Sequence, residues 1–144
     1  MYSTLKMLHH YWAYLVLFMI VVATFNAVYK TMTKKEYEAR DFRMSLFTLI
    51  VSHIHLLIGL VLWFAADYFS EMSMGEIMKN ATMRSNVVEH PVAMLLAVAL
   101  ITVGYSKHKK KLTSTNKLKS IAIFYSIALV LVLAKIPWKA WLNL

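Results

Sequence analysis

Five of the six histidines in this 144-residue chain stand in or beside long apolar runs, where an ionisable side chain needs a partner. They form three groups: His9 and His10 in LHHYW, His53 and His55 in SHIHLLIGL, and His90 in VVEHPV. Imidazole nitrogens ligate metals, and imidazole is the side chain that most readily exchanges protons near neutral pH. The histidines therefore suggest ligation of a metal centre or proton transfer.

Four apolar segments must position these histidines: residues 11–29, 45–66, 91–106 and 120–136. About 20 helical residues cross a hydrocarbon core of about 30 Å. The chain is 60% hydrophobic, whereas soluble domains are about 45–50% apolar. The sequence predicts an all-α membrane protein, an up-down bundle of four transmembrane helices forming one domain over residues 1–144. We expect the helices at about 8–29, 44–67, 87–106 and 119–138.

Positive charge is concentrated between these segments. Two loops hold most of the Lys and Arg residues: Lys30, Lys34, Lys35, Arg40 and Arg43 in one, and Lys107, Lys109, Lys110, Lys111, Lys117 and Lys119 in the other. The positive-inside rule predicts that both loops are cytoplasmic and that both termini lie outside, which in a bacterium is the periplasmic side of the inner membrane. We interpret the net charge of +9 as a topology signal that also contacts lipid headgroups, and not as a nucleic-acid interface.

The second segment carries a polar, small-residue stripe at helical spacings of three and four residues: Ser45, Thr48, Ser52, His55 and Gly59. Such a stripe faces the interior of a helical bundle, which predicts that His55 points inward. His53 lies about 200° around the helix and is predicted to face a different neighbour or another subunit. The two histidines therefore cannot both reach one iron from the same face.

The outer ends of the first and third segments place histidines at similar depth. We expect His90 to face either His9 or His10, depending on the phase of the first helix. Two imidazoles held on opposite sides of a flat ring by packed helices are what a bis-histidine haem requires. His53 and His55 lie roughly 16–20 Å below the outer end of their helix. We therefore expect that one haem does not join His90 to a helix 2 histidine, which leaves a second haem, a quinone or proton transfer for that pair.

Small residues follow the outer histidines at helical spacing: Ala93, Ala97 and Gly104 after His90, and Ala13, Ala23 and Ala27 after His9. They indicate either close helix packing or room for a macrocycle.

Charged residues stand near the same end of the predicted bundle. Arg84 and Lys135 could neutralise haem propionates, although Lys135 could instead reach the membrane interface. Glu89 could orient a histidine ring or pair with Lys135. His108, among the cytoplasmic lysines, is expected to be solvated.

The chain resembles, over nearly its whole length, the small four-helix bacterial membrane proteins labelled cytochrome b-like. The matching stretches are LHHYWAYLVL, SHIHLLIGL, EHPVAMLLAVALITVGYSK and AIFYSIALVLVLAKIPWKAW. The resemblance implies that His9, His53 and His90 are haem ligands, with Arg84 and Lys135 as basic companions. Arginine is more typical of that family at the position of Lys135.

These observations predict a b-type haem-binding subunit that transfers electrons within a larger inner-membrane complex, with haem b and a quinone as candidate cofactors. The chain has no CxxCH or nucleotide-binding motif, so we expect that it is not an enzyme by itself and acts with a membrane-protein partner or a second copy. One alternative is a non-catalytic accessory subunit. The other is a small proton-coupled carrier that uses His53 and His55.

Overall fold

The computed structural model describes residues 2–138; Met1 and residues 139–144 of the predicted domain lie outside the described residues. Its helices are α1 (Tyr2–Met32), α2 (Ala39–Ala65), α3 (Met74–Lys79), α4 (Ala81–Arg84), α5 (His90–Lys110) and α6 (Ser114–Lys135), with a 3₁₀ turn at Tyr68–Ser70. A π-helical turn at Ser85–Glu89 joins α4 to α5. No strand occurs within residues 2–138.

Four helical stretches are long and apolar enough to cross a membrane: Tyr2–Met32, Ala39–Ser70, Ala81–Lys110 and Ser114–Lys135. Over residues 2–138 they confirm the prediction of an all-helical fold with four helices of the length and apolar composition that a membrane span needs. The first and third stretches begin about two turns before the predicted starts at residues 8 and 87, because helix geometry continues into polar residues that a hydropathy pattern does not mark.

Side-chain caps determine where several helices begin. Asn80 Oδ1 accepts a hydrogen bond from the Met83 amide at 3.1 Å and thereby starts α4 well before the apolar segment. Thr113 Oγ1 accepts from the Asn116 amide at 3.2 Å at the start of α6. Each cap satisfies an amide that has no carbonyl partner inside its helix.

The long helices lie in a ring in chain order, because α1 and α5 each pack against both α2 and α6. Trp63, near the end of α2, donates to the Val87 carbonyl at the start of the third stretch, and His90 contacts Lys135 at the end of α6. One end of the bundle therefore holds the start of α1, the end of α2, the start of α5 and the end of α6. We call it the histidine end, and we call the opposite end, with the lysine-rich loops, the basic end.

The apolar core is built largely from small residues on α1, α5 and α6. Ala23, Ala27, Ala93 and Ala97 are buried in one cluster with larger side chains, so in this packing the alanines bring helices together. Tyr125 crosses the bundle and donates its hydroxyl to the Ser45 carbonyl at 2.9 Å. Of the two interpretations of the small residues, close helix packing or room for a macrocycle, this arrangement supports close packing.

Gly104 marks the closest approach of α5 to α6. A Cβ at this position would lie 2.5 Å from Phe124 Cβ, well inside van der Waals contact. We expect Gly104→Ala to destabilise the protein by about 1–3 kcal/mol through overpacking, partly offset by alanine's better helix propensity. Thermal unfolding in detergent measures the effect. Gly75→Ala is the matched control, because its Cβ would meet only Ser73 Oγ at 3.9 Å. Equal melting temperatures for the two variants would contradict the close contact.

Candidate functional site

Three imidazoles from three helices meet at the histidine end. The His9 ring of α1 stacks on the His55 ring of α2, with centroids 4.3 Å apart and planes 16° apart. The His90 ring of α5 meets the His9 ring edge-on, with centroids 6.3 Å apart and planes at 90°. We call His9, His55 and His90 the histidine cluster. As they stand, no group of three or more His, Cys, Asp or Glu within residues 2–138 is arranged to hold a metal ion.

The nitrogens of the cluster have unequal surroundings. The Nδ1 atoms of His9 and His55 are buried and have no hydrogen-bond partner among the described residues. His90 Nδ1 lies 3.0 Å from the Lys135 carbonyl oxygen. Because a carbonyl only accepts, Nδ1 of His90 carries the proton and Nε2 keeps its lone pair. This orientation is typical of metal-ligating histidines, and unpartnered buried nitrogens call for a ligand, ion or water.

Gly59 and Ser52 border the cluster on α2, one turn to either side of His55. A Cβ on Gly59 would lie 3.2 Å from His9 Cε1, so the absence of a side chain at this position leaves room for the His9 ring against α2. Ser52 Oγ is also buried without a partner among the described residues. A cavity of about 20 Å³, lined by Ser52, His55 and apolar residues, extends toward the core and has room for about one water molecule.

The expected separation of His90 from the second helix's histidines is wrong, since both His55 and His90 contact His9. His90 lies nine residues after the start of the stretch Ala81–Lys110 and His9 seven after the start of Tyr2–Met32, so these residues lie about 10–14 Å from the starts of their helical stretches. His55 is about 15 Å from the end of α2 at Ala65. The early helix starts therefore bring all three rings to one level.

Four of the five residues in the polar stripe of α2 are buried as predicted, His55 among them, and Gly59 is half-buried. His53 lies on the exposed side of α2. Its Nδ1 is 2.8 Å from the Leu49 carbonyl oxygen and its Nε2 is 3.3 Å from Thr102 Oγ1. Of the ligands that the resemblance implies, the structure brings His9 and His90 together and places His55, not His53, beside them.

His10 lies outside the cluster. Its ring meets Tyr11 and Tyr14 of the same helix edge-on, each with a centroid separation of 5.4 Å. The structure therefore selects His9 as the inward-facing member of the pair.

Glu89 forms ion pairs with Arg84 and Lys135, the two basic residues that were expected to neutralise haem propionates. Its carboxylate accepts from Arg84 Nε at 2.8 Å and from Lys135 Nζ at 3.1 Å. Arg84 also donates to the Met78 carbonyl at 2.9 Å. Of the two alternatives for Glu89, the structure has the pairing with Lys135. An anionic ligand would have to compete with this carboxylate for both cations.

The basic end holds a buried ion pair that the sequence did not indicate. Lys30 Nζ lies 2.7 Å from Asp41 Oδ2, with side chains only 5% and 1% exposed. Asn26 Nδ2 donates to Asp41 Oδ1 at 2.7 Å, and the Glu38 amide donates to Oδ2 at 2.8 Å. The available signal was the spacing of four between Asn26 and Lys30, which places two polar groups on one face of an apolar helix.

The expectation of a solvated His108 is wrong, because this side chain is fully buried. The third helix was predicted to end at residue 106, but α5 continues to Lys110 and turns His108 inward. The ring donates from Nδ1 to the Tyr105 carbonyl at 2.6 Å and accepts at Nε2 from the Tyr37 hydroxyl at 2.8 Å. Burial, with a smaller effect of Asp41, raises the pKa of Tyr37 to about 12, so the hydroxyl keeps its proton at neutral pH.

The two ends of the bundle thus differ in chemistry. The histidine end has imidazole nitrogens with no hydrogen-bond partner among the described residues, whereas at the basic end Lys30 pairs with Asp41 and Tyr37 pairs with His108. No family model, curated protein or solved structure matches this chain.

Proposed function

We propose that this chain is a membrane electron-transfer subunit whose histidine cluster ligates a redox metal centre. One observation carries the proposal: His9, His55 and His90 converge from three helices, and two of them bury an Nδ1 that has no partner among the described residues. Imidazole suits iron, copper and zinc, and of these iron and copper change oxidation state. The hydrogen bond from His90 to the Lys135 carbonyl supports the same role.

Haem b is the centre that the resemblance implies, and its fit is mixed. The imidazole donors suit haem iron. The closed packing does not fit a porphyrin, because the His9 and His55 rings are stacked 4.3 Å apart and the cavity beside them measures only about 20 Å³. Haem binding would therefore require α1 to separate from its neighbours at this level. A bare metal ion needs no space of macrocycle size, but the imidazoles would have to rearrange around it, since as they stand no group within residues 2–138 is arranged to hold a metal.

The proposed setting is the bacterial inner membrane, with an up-down bundle and both termini outside. The lysine-rich loops of the basic end support this orientation through the positive-inside rule. The histidine cluster would then lie in the outer half of the membrane. In this proposal a membrane-protein partner or a second copy of the chain supplies and removes the electrons.

The test is purification of the protein from cells supplied with haem, iron and copper. We expect one metal centre per chain, measured by a pyridine haemochrome and by elemental analysis. We also expect a reversible change in the reduced-minus-oxidised spectrum. Protein that contains neither haem nor a transition metal, also after reconstitution in vitro, would overturn the proposal.

A proton-coupled carrier is the second candidate, and one observation favours it. The water-sized cavity connects His55 to Ser52, so polar groups continue from the cluster toward the core. The pair named from the sequence would not act together, because His53 lies on the exposed side of α2. Proton flux into vesicles that contain the metal-free protein would favour this candidate over the first.

A further inference from the structure

A groove of about 490 Å³ lies at the basic end between α1 and α2 and is open to the surroundings. Its walls are Met19, Met44, Leu46, Phe47 and Ile50, and its end at the start of α2 carries Arg40 and Arg43. Arg40 and Ile50 are ten residues apart on one helix, so the groove runs about 15 Å from a cationic end to an apolar one.

The side chains of both arginines are exposed. Neither Arg40 nor Arg43 makes an ion pair or hydrogen bond with any residue in the described part of the chain. The acid between them, Asp41, points inward and is occupied by Lys30 and Asn26. The groove therefore ends in two positive charges that form no ion pair within residues 2–138, and an anion is the partner that complements them.

The remaining walls indicate what the anion must be attached to. Phe47 and Ile50 are exposed, and the groove beside them is almost entirely apolar. A free phosphate would use only the cationic end, whereas a phospholipid would use the whole groove.

We propose that this groove binds one anionic phospholipid, with its phosphate on Arg40 and Arg43 and an acyl chain along Phe47 and Ile50. Arginine suits this role because its planar fork donates two parallel hydrogen bonds to a phosphate. The inference requires that the four helices cross a membrane, and it is independent of the proposed metal centre.

The experiment uses the full chain in nanodiscs of phosphatidylcholine with a minority of phosphatidylglycerol. Lipid retained through gentle detergent extraction is then counted by native mass spectrometry. We expect about one retained phosphatidylglycerol per chain, and about a ten-fold loss of retention in the double variant Arg40→Gln/Arg43→Gln, because charge-assisted hydrogen bonds are lost.

Lys110→Gln/Lys111→Gln is the matched control: it removes the same charge from the same end, and neither lysine lines the groove. We expect it to retain the lipid. Equal losses of retained lipid in both double variants would show that the lipid is held by non-specific electrostatic attraction, and this result would overturn the proposal. Thermal protection of the wild type by inorganic phosphate that equals protection by the lipid would also overturn it, since the apolar wall would then contribute nothing.

Discussion

Asp41→Asn is expected to lower the free energy of unfolding by about 3–5 kcal/mol. The Lys30 and Asp41 side chains are 5% and 1% exposed, and their charged atoms lie 2.7 Å apart. Asparagine keeps the shape of the side chain and can still contact Asn26, but it leaves the buried Lys30 ammonium with only the exposed Glu38 carboxylate, 3.6 Å away, as a counter-charge. Breaking one half of a buried pair is costly for this reason. Equilibrium unfolding in mixed detergent micelles measures the difference.

Glu38→Gln is the control for Asp41→Asn, since Glu38 also lies near Lys30, at 3.6 Å, but its side chain is 62% exposed. Exposed pairs contribute about 0–1 kcal/mol, so this variant should unfold almost like the wild type. The double variant Lys30→Met/Asp41→Leu should recover much of the stability lost in Asp41→Asn, because it removes both buried charges. If Asp41→Asn and Glu38→Gln had the same free energy of unfolding, the result would show that the buried pair does not form.

The sequence was sufficient to predict which segments are helical and which face of α2 points inward. Long apolar runs have few alternatives to a membrane helix, and the spacing of Thr48, Ser52 and His55 leaves one polar face. The ends of the helices could not be predicted in this way, because hydropathy marks the apolar stretch and not the cap. The cap at Asn80 moved the start of the third stretch by about two turns and so changed the depth assigned to His90.

Two further features could not be predicted from the sequence: the rotational orientation of α1 and the partners of the buried polar groups. Adjacent residues on a helix differ by about 100° in direction, so the choice between His9 and His10 depends on how α1 packs. Asp41 stands between two arginines in the sequence, which suggests a solvated charge; only the packing of α1 on α2 shows that it faces Lys30. The arrangement of the cluster depends in addition on a backbone carbonyl of α6, which no pattern in side chains reveals.

Alanine substitutions of the histidines are expected to divide them into two classes. His9→Ala, His55→Ala and His90→Ala should each lower metal-centre occupancy by more than about ten-fold, because each removes an imidazole of the cluster. His10→Ala should retain the centre, since its ring lies against Tyr11 and Tyr14. Occupancy is read from the metal content and the redox difference spectrum of each purified variant, with thermal unfolding measured in parallel to identify loss of fold.

The structure and the family resemblance predict opposite results for His53→Ala and His55→Ala. The two histidines of α2 are two residues apart, so each variant loses the same side chain from the same part of the same helix. The structure predicts that His55 is required and His53 dispensable, because the His55 ring stacks on His9 whereas His53 is exposed beside Thr102. The resemblance predicts the reverse. Loss of the centre in His53→Ala with retention in His55→Ala would mean that the metal-bound form differs from the closed packing by a rotation of α2, and the cluster would then not be the site.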